Sequence, residues 1–159
     1  MSLARLPFAA PALLLLAAAA PTSAFQPKQG QPKQGQPTGI DVVFENLRGG
    51  RGVLRLCLSR NPAHYPDCSG DPQARQANIP ANRRGTFRFD NLPQGSYALT
   101  ALHDENGNSK LDTFLGIPRE GFAFSNNPRI GFGPPAYERV RFSVGPARAL
   151  IRLQFKYIT

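Results

Sequence analysis

Residues 53–59 read Val-Leu-Arg-Leu-Cys-Leu-Ser, with leucine at every second position. Successive side chains of a β-strand point to opposite faces, so this period of two predicts a strand that buries Leu54, Leu56 and Leu58 on one face. Cys57 falls on the opposite face. The loop that follows is therefore expected to fold over the outside of a sheet.

The same period of two continues outward in both directions. Apolar residues alternate with other residues in further segments, at 40–45, 86–89, 97–103, 139–144 and 151–157. We expect a hairpin turn at Gly49-Gly50-Arg51-Gly52, long loops at 60–82 and 104–136, and no helix. Within the first of these loops, the pattern near residues 74–79 fits either a short strand or a helical turn. Six or seven short strands separated by glycine and proline turns predict an all-β, antiparallel β-sandwich.

The first 38 residues differ in composition from the rest. In residues 1–24 Arg5 is the only charge, an apolar stretch follows, and Thr22-Ser23-Ala24 offers small residues for cleavage, which predicts a signal peptide. The apolar stretch is shorter than the roughly 20 residues that span a bilayer, so we do not expect a membrane-spanning protein. Residues 25–38 repeat Gln-Pro-Lys-Gln-Gly and predict a flexible linker or a wall-binding or partner-binding tail. The domain is then 39–159, in the periplasm or secreted.

The formal net charge is +9, and it stays positive on the domain once Arg5, Lys28 and Lys33 are set aside. A basic exported domain favours an anionic envelope component, such as a glycan, a lipid headgroup or an acidic protein, and export argues against nucleic acid. If the last two strands pair as one hairpin, four basic residues would lie on outward faces: Arg139, Arg141, Arg152 and Lys156. They would form an anion-binding face or protect the sheet from aggregation. The alternative is that the charge serves solubility alone.

Cys57 and Cys68 are the two cysteines of the chain. An even number in an oxidising compartment predicts a disulfide, which would close a loop of about 12 residues and contribute roughly 3 kcal/mol. No Cys-x-x-Cys motif and no histidine at ligand spacing accompany them, which disfavours a redox pair and a metal site.

A segment rich in Asp and Asn follows the strand at 97–103. Positions 1, 3, 5 and 9 of a calcium loop are matched by Asp104, Asn106, Asn108 and Asp112, and Lys110 would offer its backbone carbonyl at position 7. Oxygen ligands favour Ca²⁺ over transition metals. However, Leu115 replaces the usual bidentate glutamate. Asp and Asn also build turns by bonding their own backbone, so a metal-free turn is the alternative.

His103, Asp104 and Ser125 resemble the parts of a hydrolytic triad in composition only. The chain has no nucleophile elbow, and adjacent residues on a strand point to opposite faces. We expect His103 to be structural, bonded to Asp104 or to a loop carbonyl.

Several runs of the chain together resemble a known bacterial family. They are Leu92-Pro93-Gln94-Gly95-Ser96-Tyr97-Ala98, His103 to Asn108, Lys110 to Thr113, Gly116 to Phe122, and Phe124 to Asn127. The chain resembles, over most of 39–159, the exported proteins grouped as domain of unknown function 2141. The resemblance implies a small fold similar to the transthyretin-like and carboxypeptidase-regulatory sandwiches, with no established activity or catalytic residues. Ser109 stands where the family usually has Gly, and Phe114 where it often has Asn.

The expected fold is therefore a transthyretin-like or immunoglobulin-like sandwich. The apolar residues of the signature are expected to fold onto it and close one end: Phe114, Leu115, Ile117, Phe122 and Phe124. So much specified loop sequence is typical of a functional surface on a rigid scaffold. We expect a non-enzymatic exported binding or structural module of the bacterial envelope, with a weak calcium loop left open. The alternative is an envelope hydrolase acting on wall or glycan, against which the sparse carboxylates argue.

Overall fold

The computed structural model describes residues 38–83 and 85–158. The predicted signal peptide and all but the last residue of the predicted linker lie outside this part. Its elements are β1 (Gly39–Glu45), β2 (Val53–Ser59), a 3₁₀ turn (Pro62–His64), β3 (Arg75–Pro80), β4 (Phe87–Asp90), β5 (Gly95–Asp104), β6 (Thr113–Phe114), β7 (Ile117–Pro118), β8 (Gly121–Phe124), α1 (Tyr137–Val140), β9 (Phe142–Val144) and β10 (Ala149–Gln154). The all-β class is confirmed, and the higher strand count comes mainly from short strands in the segment expected to be irregular.

The strands form two main sheets and one small hairpin. One sheet has the order β10-β1-β4, and the other has the order β3-β2-β5-β8, with β9 pairing with the start of β5. The hairpin consists of β6 and β7. All pairs of strands are antiparallel except β1 and β10, which run parallel from Ile40 opposite Ala149 to Glu45 opposite Gln154. Alternation of apolar residues is the same in both directions, so the sequence pattern contains no signal for this parallel pair.

The two main sheets share one core. Leu54, Leu56 and Leu58 of β2 are buried as their period predicts, with 0–3 % of each residue exposed. From the other sheet Ile40, Val42 and Leu153 join the same cluster. Each fully buried side chain of this size contributes about 1.5–3 kcal/mol.

The outer face of the larger sheet carries a second layer. Cys57 is linked to Cys68 with their Cα atoms 5.7 Å apart, and the Thr100 hydroxyl donates to the Pro66 carbonyl at 2.6 Å. The predicted disulfide is confirmed, and the loop after β2 folds over the outside of the sheet as expected. Beside it, Val140 packs in a small cluster with residues of β5 and β8.

Two expected connections are wrong. Gly49–Gly52 closes no hairpin, because β1 and β2 belong to different sheets. The last two strands do not pair either, since β9 lies on β5 and β10 lies on β1. Residues 137–140 form a helical turn instead of a strand. Val140 fits the period of two in the sequence, but in the structure it packs with a separate apolar cluster on the outside of the larger sheet.

Candidate functional site

Asp104 is the last residue of β5, and its carboxylate organises the loop that follows. The side chain is fully buried. Oδ1 accepts hydrogen bonds from the backbone N–H groups of Gly107 (2.8 Å) and Asn108 (3.1 Å), and Oδ2 accepts one from Ser109 (2.8 Å). Arg55 on β2 donates its Nε–H to Oδ2 at 2.6 Å. Burial by itself raises the pKa of Asp104, but the bonds from Arg55 and the backbone outweigh it and hold that pKa below its ordinary value.

A glycine allows the turn before β2 to approach the backbone carbonyl of Asp104 closely. Gly52 has a φ of +78°, and a Cβ atom built there would lie 2.1 Å from the Asp104 carbonyl oxygen. Any other residue at position 52 would therefore strain the backbone and displace the end of β5.

Glu120 closes the loop from its far end. Its side chain accepts hydrogen bonds from the backbone N–H groups of Glu105 at 2.9 Å and Asp112 at 3.1 Å, one on each oxygen. The Arg119 N–H donates to the Asp112 carbonyl at 2.8 Å. Glu120 is only 4 % exposed, so both ends of the loop are tied to one buried carboxylate. Sequence reasoning gave Glu120 no such role, and its place in the family signature was the only signal.

The predicted calcium residues lie together, but their polar atoms bond one another. The Nδ2 groups of Asn106 and Asn108 donate to the two carboxylate oxygens of Asp112, at 2.6 and 2.9 Å. The Oδ1 atoms of the same two asparagines accept backbone N–H groups, from Asn108 and from Lys110. Since the Asp104 oxygens also accept N–H groups, this arrangement fits Asx turns better than an ion. Within residues 38–83 and 85–158, no group of three or more His, Cys, Asp or Glu side chains could hold a metal. Calcium binding stays a prediction.

His103 is buried and has a structural environment. Its Nε2 lies 2.7 Å from the Arg51 carbonyl oxygen, and its Nδ1 lies 2.7 Å from the Tyr157 hydroxyl. A carbonyl only accepts, so Nε2 carries a proton, and in the neutral ring the Tyr157 hydroxyl donates to Nδ1. The Ser125 hydroxyl is engaged elsewhere, donating to the Val140 carbonyl and accepting the Leu99 N–H. These bonds account for His103 and Ser125 without a triad.

The β6–β7 hairpin overturns one expectation. Leu115 and Gly116 form its turn, with φ values of 49° and 78°, as in the tight turns that match the twist of paired strands. Leu115 is 87 % exposed, Phe114 62 % and Ile117 46 %, so these three side chains do not fold onto the sandwich. Phe122 and Phe124 are buried as expected, because they belong to β8 in the larger sheet. The apolar side chains of the hairpin therefore lie on the protein surface instead of in the core.

The hairpin that would have formed the predicted basic face is absent from the described residues, but the backbone of its four residues lies near residues 126–128 or the adjoining β8, and two of the charges are paired. The side chains of Asn126 and Asn127 bond the backbone carbonyls of Arg139, Arg141 and Arg152, and Lys156 donates to the Pro128 carbonyl at 2.8 Å. Arg152 pairs with Glu45 at 2.9 Å, and Arg141 pairs with Glu138. The side-chain bond between Arg152 and Glu45 lowers the pKa of that carboxyl. Anion binding by this face stays a prediction.

A polar cavity of about 370 Å³ lies between the turn after β1 and the turn after β3. Arg48 and Arg83 contribute to its wall. Arg48 also reaches the loop, because its guanidinium pairs with Glu105 at 2.8 Å and lies 4.6 Å from the centre of the Tyr157 ring. Arg48 therefore contacts both the cavity and the loop held by Asp104 and Glu120.

Comparison with known proteins identifies a family, but the description of that family names no activity. No curated protein and no solved structure matches the chain. In the ranges that the structure describes, no helix has the length and apolarity needed to cross a membrane. The family described as "Uncharacterized protein conserved in bacteria (DUF2141)" matches residues 42–151, which include most of the sandwich, the loop and the hairpin. The chain therefore belongs to the DUF2141 family of bacterial proteins.

Proposed function

We propose that this chain is a non-enzymatic exported binding module of the bacterial envelope. Its contact surface is the hairpin tip, which we define as Leu111, Phe114, Leu115 and Ile117. The observation that carries the proposal is exposure: these are four of the seven large apolar side chains that are exposed in the described residues. A concentration of exposed apolar side chains marks a surface that another molecule covers.

The base of the hairpin supports this reading. Asp104 and Glu120 accept backbone N–H groups between residues 105 and 112, before the hairpin, and the Arg119 N–H joins the far side to the Asp112 carbonyl. The base of the hairpin therefore has a fixed position. A surface held in one conformation loses little conformational entropy when it binds. Binding residues commonly lie on loops that a rigid scaffold positions in this way.

The carboxylates of the loop favour binding over hydrolysis. Asp104 and Glu120 are 0 % and 4 % exposed, and their oxygens accept backbone N–H groups. A general acid or base must come within hydrogen-bond reach of its substrate. These two side chains instead hold the backbone of the loop.

A site-specific photo-crosslinking experiment tests the proposal. A photo-reactive phenylalanine analogue replaces Leu115 in the exported protein, and the matched control carries it at Leu150, which is 54 % exposed on β10 in the other sheet. We expect envelope adducts at position 115 but not at 150, and competition by excess unlabelled wild-type protein but not by a Phe114→Ser, Leu115→Ser variant. Equal labelling at both positions would contradict the proposal, as would turnover of wall or glycan by the purified protein.

A further inference from the structure

The size of the hairpin tip restricts the kind of partner it fits. Its four side chains lie within residues 111–117 and expose apolar surface on the order of a few hundred Å². Each side of a standard protein–protein interface buries roughly 800 Å² from about 20–30 residues. A lipid bilayer requires no matching shape, so a narrow apolar projection can enter it.

Two cations flank the tip. Lys110 and Arg119 are exposed, and the Arg119 N–H closes the base of the hairpin on the Asp112 carbonyl. In the part of the chain that the structure describes, neither the Lys110 ammonium nor the Arg119 guanidinium has a hydrogen-bond or ion-pair partner. Basic side chains beside an inserted apolar group are attracted to anionic headgroups.

The carboxylates near the tip are already engaged. Asp104 and Glu120 are buried, and Glu105 pairs with Arg48 at 2.8 Å. Asp112 accepts the amide groups of two asparagines. Anionic headgroups would therefore meet two exposed cations beside carboxylates that are buried, paired or hydrogen-bonded, on a chain whose formal net charge is +9.

We propose that the hairpin tip inserts into the interface of an anionic lipid bilayer and holds the domain at a membrane surface. Phe114 and Leu115 enter the boundary between headgroups and acyl chains, and Lys110 and Arg119 lie at the level of the phosphates. This inference rests on the proposed function and names its partner.

Sedimentation with vesicles tests the inference. The protein secreted by a bacterial host is mixed with vesicles of phosphatidylcholine alone or of phosphatidylcholine and phosphatidylglycerol in equal amounts. We expect clear binding to the mixed vesicles and a loss of that binding at high salt. Leu115→Ser should weaken partitioning about tenfold or more, as expected for removing one buried leucine, while Leu150→Ser should leave it unchanged. Lys110→Gln with Arg119→Gln should remove the preference for the anionic vesicles.

A fluorescent variant gives a second measurement that does not depend on a loss of binding. The chain contains no tryptophan, so Leu115→Trp introduces a single reporter at the tip. Its emission should shift to the blue with the mixed vesicles, whereas that of Leu150→Trp should not. No shift at position 115, or equal effects of the two serine variants, overturns the inference. If the crosslink at Leu115 then joins a protein or a second copy of this chain, the proposed function stands and only the lipid partner is wrong.

Discussion

Replacing Asp104 with asparagine should destabilise the domain strongly. The substitution keeps the shape of the side chain and removes its charge. If the remaining oxygen still accepts the N–H groups of Gly107 and Asn108, the new NH₂ group faces the Ser109 N–H and the Arg55 Nε–H, which are both donors. Two bonds are then lost at a fully buried site; both are made to the charged carboxylate, and one of them comes from the charged guanidinium of Arg55.

The magnitude follows from those two bonds. A hydrogen bond to a charged group contributes about 1.5–3 kcal/mol, so the loss of two such bonds should cost at least about 3 kcal/mol. For a domain of about 120 residues, a loss of that size lowers Tm by at least about 12 °C. The dependence on pH has a definite sign. Because the pKa of Asp104 is lowered in the folded protein, its stabilisation is present above the unfolded pKa of about 3.9 and is lost as pH falls through the folded pKa.

Urea unfolding near neutral pH and in acid measures both effects. The matched control is Asp67→Asn, where one carboxylate oxygen accepts a single N–H group, from Ser69, on an exposed residue. We expect the control to lose no more than about 1 kcal/mol. The Asp104 variant should also lack the part of the acid destabilisation that protonation of Asp104 causes in the wild type. An Asp104 variant as stable as the control would refute the reasoning.

The remaining predictions concern the ion, the disulfide, the export signal and the basic face. Because the loop is held by its own hydrogen bonds, Tm in millimolar Ca²⁺ should equal Tm with a chelator. A higher Tm in Ca²⁺ would show that the loop binds the ion. Thiol labelling of denatured, unreduced protein should find no free cysteine, and reduction of Cys57–Cys68 should cost roughly 3 kcal/mol. The intact mass of protein secreted by a bacterial host should correspond to a chain beginning at Phe25, and a retained leader would contradict this. Binding to a negatively charged resin should fall steeply with salt and should weaken with Arg139→Gln more than with Arg152→Gln, whose charge Glu45 already balances; equal effects would leave the basic face without a special role.

Sequence periodicity predicts strands well but not their partners. The leucines of β2 and the alternating residues of β1 and β10 lie in strands as expected. The expected hairpins between β1 and β2 and between β9 and β10 are wrong, because local alternation does not specify which distant strand completes a sheet. Ile40 pairs with Ala149 although the two residues are far apart in the sequence, so this pairing depends on how the whole chain folds.

The candidate site shows a different limit. Asp and Asn at alternate positions correctly indicate a structured loop, but the same residues suit an ion and Asx turns. The role of Glu120 depends on contacts with Glu105 and Asp112, which only the folded loop brings together. The exposure of Leu115 was missed because apolar residues usually indicate burial, and in this hairpin the turn carries them away from the core.

Fractionation of cells that export the protein tests the central claim most directly. The amount retained with the envelope is compared with the amount released, for wild type, for the Phe114→Ser, Leu115→Ser variant and for Leu150→Ser. If the hairpin tip is the contact surface, the wild type and the Leu150 variant stay with the envelope and the tip variant is released. A folded tip variant that stays with the envelope to the same extent as the wild type would contradict the account.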